Sequence, residues 1–77
     1  MEGNARQKPY PMNLKQFRTH LGLTQQEFAD AIDVKQAHVS KLETTWPRVR
    51  LVTMQAIAKT FGVAVVVTGE GVEIREG

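Results

Sequence analysis

QQEFADAIDVKQAHVSKLET, residues 25–44, decides the fold. Phe28, Ala29 and Ile32 recur at helical spacing in its first half and Val39 and Leu42 in its second, with Asp33-Val34 interrupting the two patterns. The expected order is therefore helix, tight turn, helix. Ala29 is small where the second of these helices must cross closely over the first. Asp33 stands where the chain must reverse, a place that calls for a left-handed conformation, which Asp tolerates better than most residues. A small residue, a turn and two apolar residues at these offsets give the geometry of a unit that reads DNA.

Working outward, the helix that holds Phe28 has its start written in the sequence. Thr24 followed three residues later by Glu27 is a capping box, in which each side chain satisfies the other residue's backbone N–H. On the N-terminal side, Asn13 can cap a further helix that turns Leu14, Phe17 and Leu21 inward and stops at Gly22. On the C-terminal side, Pro47 within Trp46-Pro47-Arg48-Val49-Arg50 blocks continuation of the helix that holds Leu42. Trp46 in this loop either stacks on a partner's backbone or shields the edge of the core. A last helix, about Leu51 to Phe61, carries Leu51, Met54, Ile57, Ala58 and Phe61 at spacings of three and four and closes at Gly62.

Both ends of the chain differ from this helical centre. Residues 1–12 are polar, contain Pro9 and Pro11 and lack periodicity, so they read as a flexible arm, either a disordered end or a basic strap reaching along DNA through Arg6 and Lys8. After Gly62, Val63–Thr68 is β-branched almost throughout, Gly69-Glu70-Gly71 is a turn, and Val72–Arg75 alternates apolar and polar, which reads as a β-hairpin. An isolated hairpin is marginal in water, and valines on both faces need cover on both sides. A second copy of the chain is the expected cover, with Val63, Val65, Val66, Val67, Val72 and Ile74 as dimerisation residues. The organisation is thus an arm (1–12), a helical DNA-binding domain (13–62) and a hairpin (63–77).

Composition restricts function more than it specifies it. Seventy-seven residues, 42% of them hydrophobic and 23% charged, allow one small core that buries only about 60% of the unfolded surface. With no Cys and two His, neither a disulfide framework nor a metal site is expected, nor is any cofactor. No run of roughly 20 apolar residues spans a bilayer and no signal peptide is apparent, so a cytoplasmic location without membrane contact is expected. No Gly-rich phosphate loop, nucleophile paired with a base or useful carboxylate pair is present, so no enzyme is expected. The net charge of +2 and pI near 9.3 fit a polyanion partner. Placement is more telling, because Arg6, Lys8, Lys15, Lys35, Lys41, Arg48 and Arg50 lie before and around the reading unit while Glu70, Glu73 and Glu76 gather at the C-terminal end.

Leu23-Thr24-Gln25, Glu27, Ala29, Ile32, Gln36, Val39, Ser40 and Leu42-Glu43 together resemble the Xre/Cro and lambda-repressor-like helix-turn-helix proteins, from about Leu14 to Phe61. Asp33 stands where the family usually has Gly, and Lys35 where a capping Ser or Thr is usual. The resemblance implies a mainly α fold, a four-helix DNA-binding domain followed here by the β-hairpin, and a function as a sequence-specific transcriptional regulator of double-stranded DNA. It implies a recognition helix of about Gln36 to Thr44 whose outer face carries Gln36, Ala37, Ser40 and Lys41. Gln can bond an adenine edge at two points, Lys can donate to guanine or phosphate, Ser to either, and Ala can pack on a thymine methyl. Backbone contacts are expected from Thr24, Gln25, Lys35, His38, Arg48 and Arg50. Arg18 and Glu43, each a charge on an otherwise apolar helix face, match two family positions that pair between the first and third helices.

Two functional expectations result. The leading one is a homodimeric repressor on an inverted-repeat operator. The alternative is an antitoxin that neutralises a cognate toxin and represses its own operon, since some antitoxins resembling this chain follow a similar last helix with a Gly and strands that join across a twofold axis.

Overall fold

The computed structural model describes residues 10–77. Among the described residues, four helices precede one hairpin: α1 Leu14–His20, α2 Gln25–Ala31, α3 Gln36–Thr45, α4 Leu51–Phe61, β1 Ala64–Thr68 and β2 Gly71–Arg75. The first two helices start where side-chain caps place them. Asn13 accepts from the Gln16 N–H while Gln16 returns a bond to the Asn13 N–H, and Thr24 and Glu27 do the same for α2. The α2–α3 turn passes through Asp33 at φ 62°, the left-handed geometry expected there, and Lys35 at the N-cap of α3 provides no side-chain cap. Gly62 ends α4 at φ 68°.

Leu14, Phe17, Phe28, Ala29, Val39 and Ile57 are fully or almost fully buried, so each of the four helices contributes to one core. Its centre is aromatic. The rings of Phe28 and Phe61 stack at 4.9 Å, and Phe17 meets Phe61 edge-on at 5.5 Å, an arrangement that suits the ring quadrupoles. Two leucines expected inside are not there. Leu21 is exposed because it follows the last turn of α1, and Leu51 is 66% exposed at the first turn of α4. Thr53 and Ile57, one turn apart, are the buried residues of α4.

Packing of the hairpin corrects the expected roles of both chain ends. Val65 pairs with Ile74 and Val67 with Val72, so these four share the sheet face that Ile74 turns into the core. Ile74 is fully buried, and Val63 and Val65 pack against the same core. Ile74, expected as a dimerisation residue, is therefore a core residue of the single chain, and the helices cover the part of the inner face around Ile74 and Val65 while Val67 stays 71% exposed. On the other edge of β2, the Met12 N–H donates to the Ile74 carbonyl and the Ile74 N–H to the Met12 carbonyl, both at 2.9 Å. Met12 is buried and Tyr10 half-buried, so the C-terminal end of the expected arm belongs to the folded unit. Arg6 and Lys8 lie outside the described residues.

Trp46 packs against the core, and its indole N–H donates to the Val72 carbonyl at 3.0 Å, which ties the end of α3 to the hairpin. A Cβ on Gly71, at φ 137°, would meet the Pro47 ring at 3.0 Å. Glycine thus permits both the backbone angle and the close approach of the hairpin to the α3–α4 loop.

Candidate nucleic-acid interface

The site is built on α3. Val39 and Leu42 hold its inner face against the core, which leaves Gln36, Ala37 and Lys41 exposed and Ser40 half-buried on one outer face, two pairs four residues apart. Val39 and Leu42 are the buried residues of this helix, and its outer face is polar, the composition a groove-entering helix needs.

A continuous set of charge-assisted and amide hydrogen bonds stands behind this face. The Arg18 guanidinium donates to Glu43 through Nε (2.5 Å to Oε2) and Nη2 (3.3 Å to Oε1), and through Nη1 to the Leu23 carbonyl at 2.8 Å. Glu43 Oε1 also accepts from Gln25 Nε2 at 3.1 Å, and Gln25 Oε1 accepts from Gln36 Nε2 at 3.0 Å. The Arg18 and Glu43 side chains are only 12% and 6% exposed, so the pair is largely removed from water. Burial alone would push the Glu43 carboxyl up, but the hydrogen bonds from Arg18 and Gln25, aided by the charges of Arg18 and Lys15, hold it below the usual value of 4.5. The bond to Glu43 likewise raises Arg18 against the opposing effect of its burial.

At the C-terminal side of the outer face opens a groove of about 670 Å³ lined by His38, Lys41, Leu42, Thr45, Arg48, Val49, Arg50 and Thr53. Three fixed positive charges border an apolar floor, which gives a cleft with the shape and sign to receive a phosphate backbone. His38, Lys41, Arg48 and Arg50 thus come together, although sequence spacing alone did not group them. Thr24 lies at the N-cap of α2, its hydroxyl oxygen engaged by the Glu27 N–H, and exposed Lys35 precedes α3. Gln25, expected as a backbone contact, is half-exposed and links Glu43 with Gln36. Thr45, Val49 and Thr53 were missed as groove residues. A signal existed for Thr53, which stands four residues before Ile57 on the inward stripe of α4.

An exposed polar recognition face, an ion pair behind it and a basic loop beside it define a helix-turn-helix domain of the DNA-reading class. The chain belongs to the HTH_3 helix-turn-helix family, whose model matches residues 14–67, all four helices and most of β1. That family is one of DNA-binding regulatory domains and places the chain among DNA-binding transcription regulators. No curated protein and no solved structure matches it. Among the described residues, no helix is long and apolar enough to cross a membrane.

Proposed function

We propose that this chain is a sequence-specific transcriptional repressor that binds an inverted-repeat operator as a twofold dimer and reads bases with Gln36, Ala37, Ser40 and Lys41. The observation that carries this reading is the exposed α3 face, backed by Gln25 and Glu43 and flanked by the basic groove. Gln36 and Lys41 act on base edges, whereas Arg48 and Arg50, with Lys35 and His38 at the rim, act on phosphates.

Selection of binding sites from a randomised duplex pool, followed by titration of variants, tests the assignment. Gln36→Ala and Lys41→Ala should each weaken binding to the selected site by about 1–3 kcal/mol and reduce its preference over random DNA. Unchanged preference in both variants would remove α3 as the reading element. Arg48→Ala with Arg50→Ala should instead weaken binding to every duplex and flatten its salt dependence by about two phosphate contacts.

The dimer reading rests on β1. Met12 occupies the far side of β2, so β1 is the open edge of the sheet among the described residues. Its sequence AVVVT contains neither charge nor Pro to discourage pairing, and Val67 is 71% exposed. Antiparallel pairing of two β1 edges would satisfy these groups and set two recognition helices about one DNA turn, roughly 34 Å, apart. Val66 lies on the sheet face away from the core, so Val66→Lys challenges the dimer without placing a charge inside the monomer. Light scattering should show the parent as a dimer and Val66→Lys as a folded monomer with reduced operator affinity. A parent that stays monomeric at high micromolar concentration would remove the dimer.

A further inference from the structure

The hydrogen bonds that run from Arg18 to Gln36 have a direction, and that direction follows from chemistry rather than from how an amide is drawn. A guanidinium only donates, and an ionised carboxylate only accepts. Glu43, holding Arg18 on one side, can therefore meet Gln25 only at its NH2 group (Nε2–Oε1 3.1 Å). This turns the Gln25 carbonyl toward Gln36, where it accepts from Nε2 at 3.0 Å. One N–H of Gln36 is thereby occupied, which leaves one N–H and the carbonyl oxygen to face outward. One donor beside one acceptor complements the N7 and N6 edge of adenine, whereas guanine presents two acceptors there.

We propose that Glu43, acting through Gln25, is a positioning residue that fixes the orientation of the Gln36 amide and so makes Gln36 select adenine over guanine. This rests on the reading of Gln36 as a base contact. Glu43 and Gln25 need not touch the base. Their effect is transmitted because each amide has one donating and one accepting end, so orienting the first orients the second.

The relay makes a prediction that mere support of the helix does not. In Glu43→Gln the new amide must turn its carbonyl to Arg18 and its NH2 to Gln25, which reverses Gln25 and makes it donate to the Gln36 carbonyl. Gln36 then shows two N–H groups outward, a pattern that favours guanine. Adding Gln25→Glu restores an acceptor-only group next to Gln36, and with it the original orientation, although the charge has moved from one helix to the other.

The experiment is selection from a randomised duplex pool with the full chain, read as base frequencies at the position whose preference Gln36→Ala abolishes. The parent should enrich adenine there. Glu43→Gln should lower the adenine-to-guanine ratio about tenfold or more, and the Gln25→Glu/Glu43→Gln double variant should recover it. An adenine ratio unchanged in Glu43→Gln, or lost equally at every position and not recovered in a folded double variant, overturns the relay. If Gln36→Ala changes no base frequency, the assignment of Gln36 as a base contact fails first and takes the relay with it. Should the double variant prove unfolded by circular dichroism, the side-chain amide resonances of Gln25 and Gln36 in free Glu43→Gln decide, and unchanged shifts for both overturn the proposal.

Discussion

The α2–α3 unit and the β-hairpin are held by opposite kinds of information. The helices are specified locally, by Thr24 and Glu27 at one end of α2 and by Asp33 at the turn, all within ten residues of one another. The hairpin is held from a distance, by Met12 across 62 residues of chain and by Trp46 across 26. Local signals can be recognised by spacing. Distant ones become visible only when the chain has folded, and they tell more about how perturbation spreads.

The sharpest way to break this contrast is at Ile74. It is fully buried in the monomer core, so Ile74→Ala should cost about 3 kcal/mol, a large fraction of what a domain of this size possesses. Truncation after Gly62 removes Ile74 along with the partners of Met12 and Trp46, and should leave no cooperative thermal transition by circular dichroism. A truncated chain that melts cooperatively at the parent temperature would show that the helices are self-sufficient.

Next in size is the Arg18–Glu43 pair, a long-range contact within the otherwise locally specified half. Glu43→Ala should cost about 3 kcal/mol, the lower end for removing one partner of a buried pair, because Arg18 retains some access to water. Its pH dependence has a definite sign. The folded Glu43 carboxyl lies below 4.5, so its stabilisation is fully present above that value and is lost as pH falls through the folded value. Melting temperatures of the parent should therefore fall more steeply below pH 4.5 than those of Glu43→Gln, and parallel curves would contradict the assignment.

Local changes should do less. Thr24→Ala removes one capping bond and should cost about 1 kcal/mol, measured by urea denaturation. The smallest effect is expected at Asp33, where Asp33→Gly relieves the cost of the left-handed angle but loosens the unfolded chain, for a net change within about 0.5 kcal/mol. A loss well above 1 kcal/mol at Asp33 would mean that its carboxylate has a role beyond the turn.

The same contrast explains what could be read from the chain beforehand. Four helices, the Asn13 cap, the Thr24–Glu27 capping box, the Asp33 turn and the exposed face of Gln36, Ala37 and Lys41 were legible because periodicity and caps act within a few residues, whereas the return bond from Gln16 to the Asn13 N–H went unread. Ile74 was assigned to a second copy because alternation identifies an apolar face but not what covers it. Leu51 fitted the α4 stripe by spacing and is nonetheless exposed, because the buried stripe of α4 runs through Thr53 and Ile57 and leaves the first residue of the helix outside it. The bonds from Gln25 to Glu43 and Gln36 required knowing that α1, α2 and α3 converge on Glu43, which is tertiary information.

Trp46, the only tryptophan in the chain, has a consequence for how the molecule can be watched. Its half-buried indole is bonded to the Val72 carbonyl at the end of α3, so its environment changes when the hairpin detaches, whether or not the helices unravel. Emission from this one fluorophore should shift to longer wavelength on detachment, while circular dichroism at 222 nm follows the helices. Recording both in one denaturation gives an optical measure of whether the hairpin leaves before the helices or together with them.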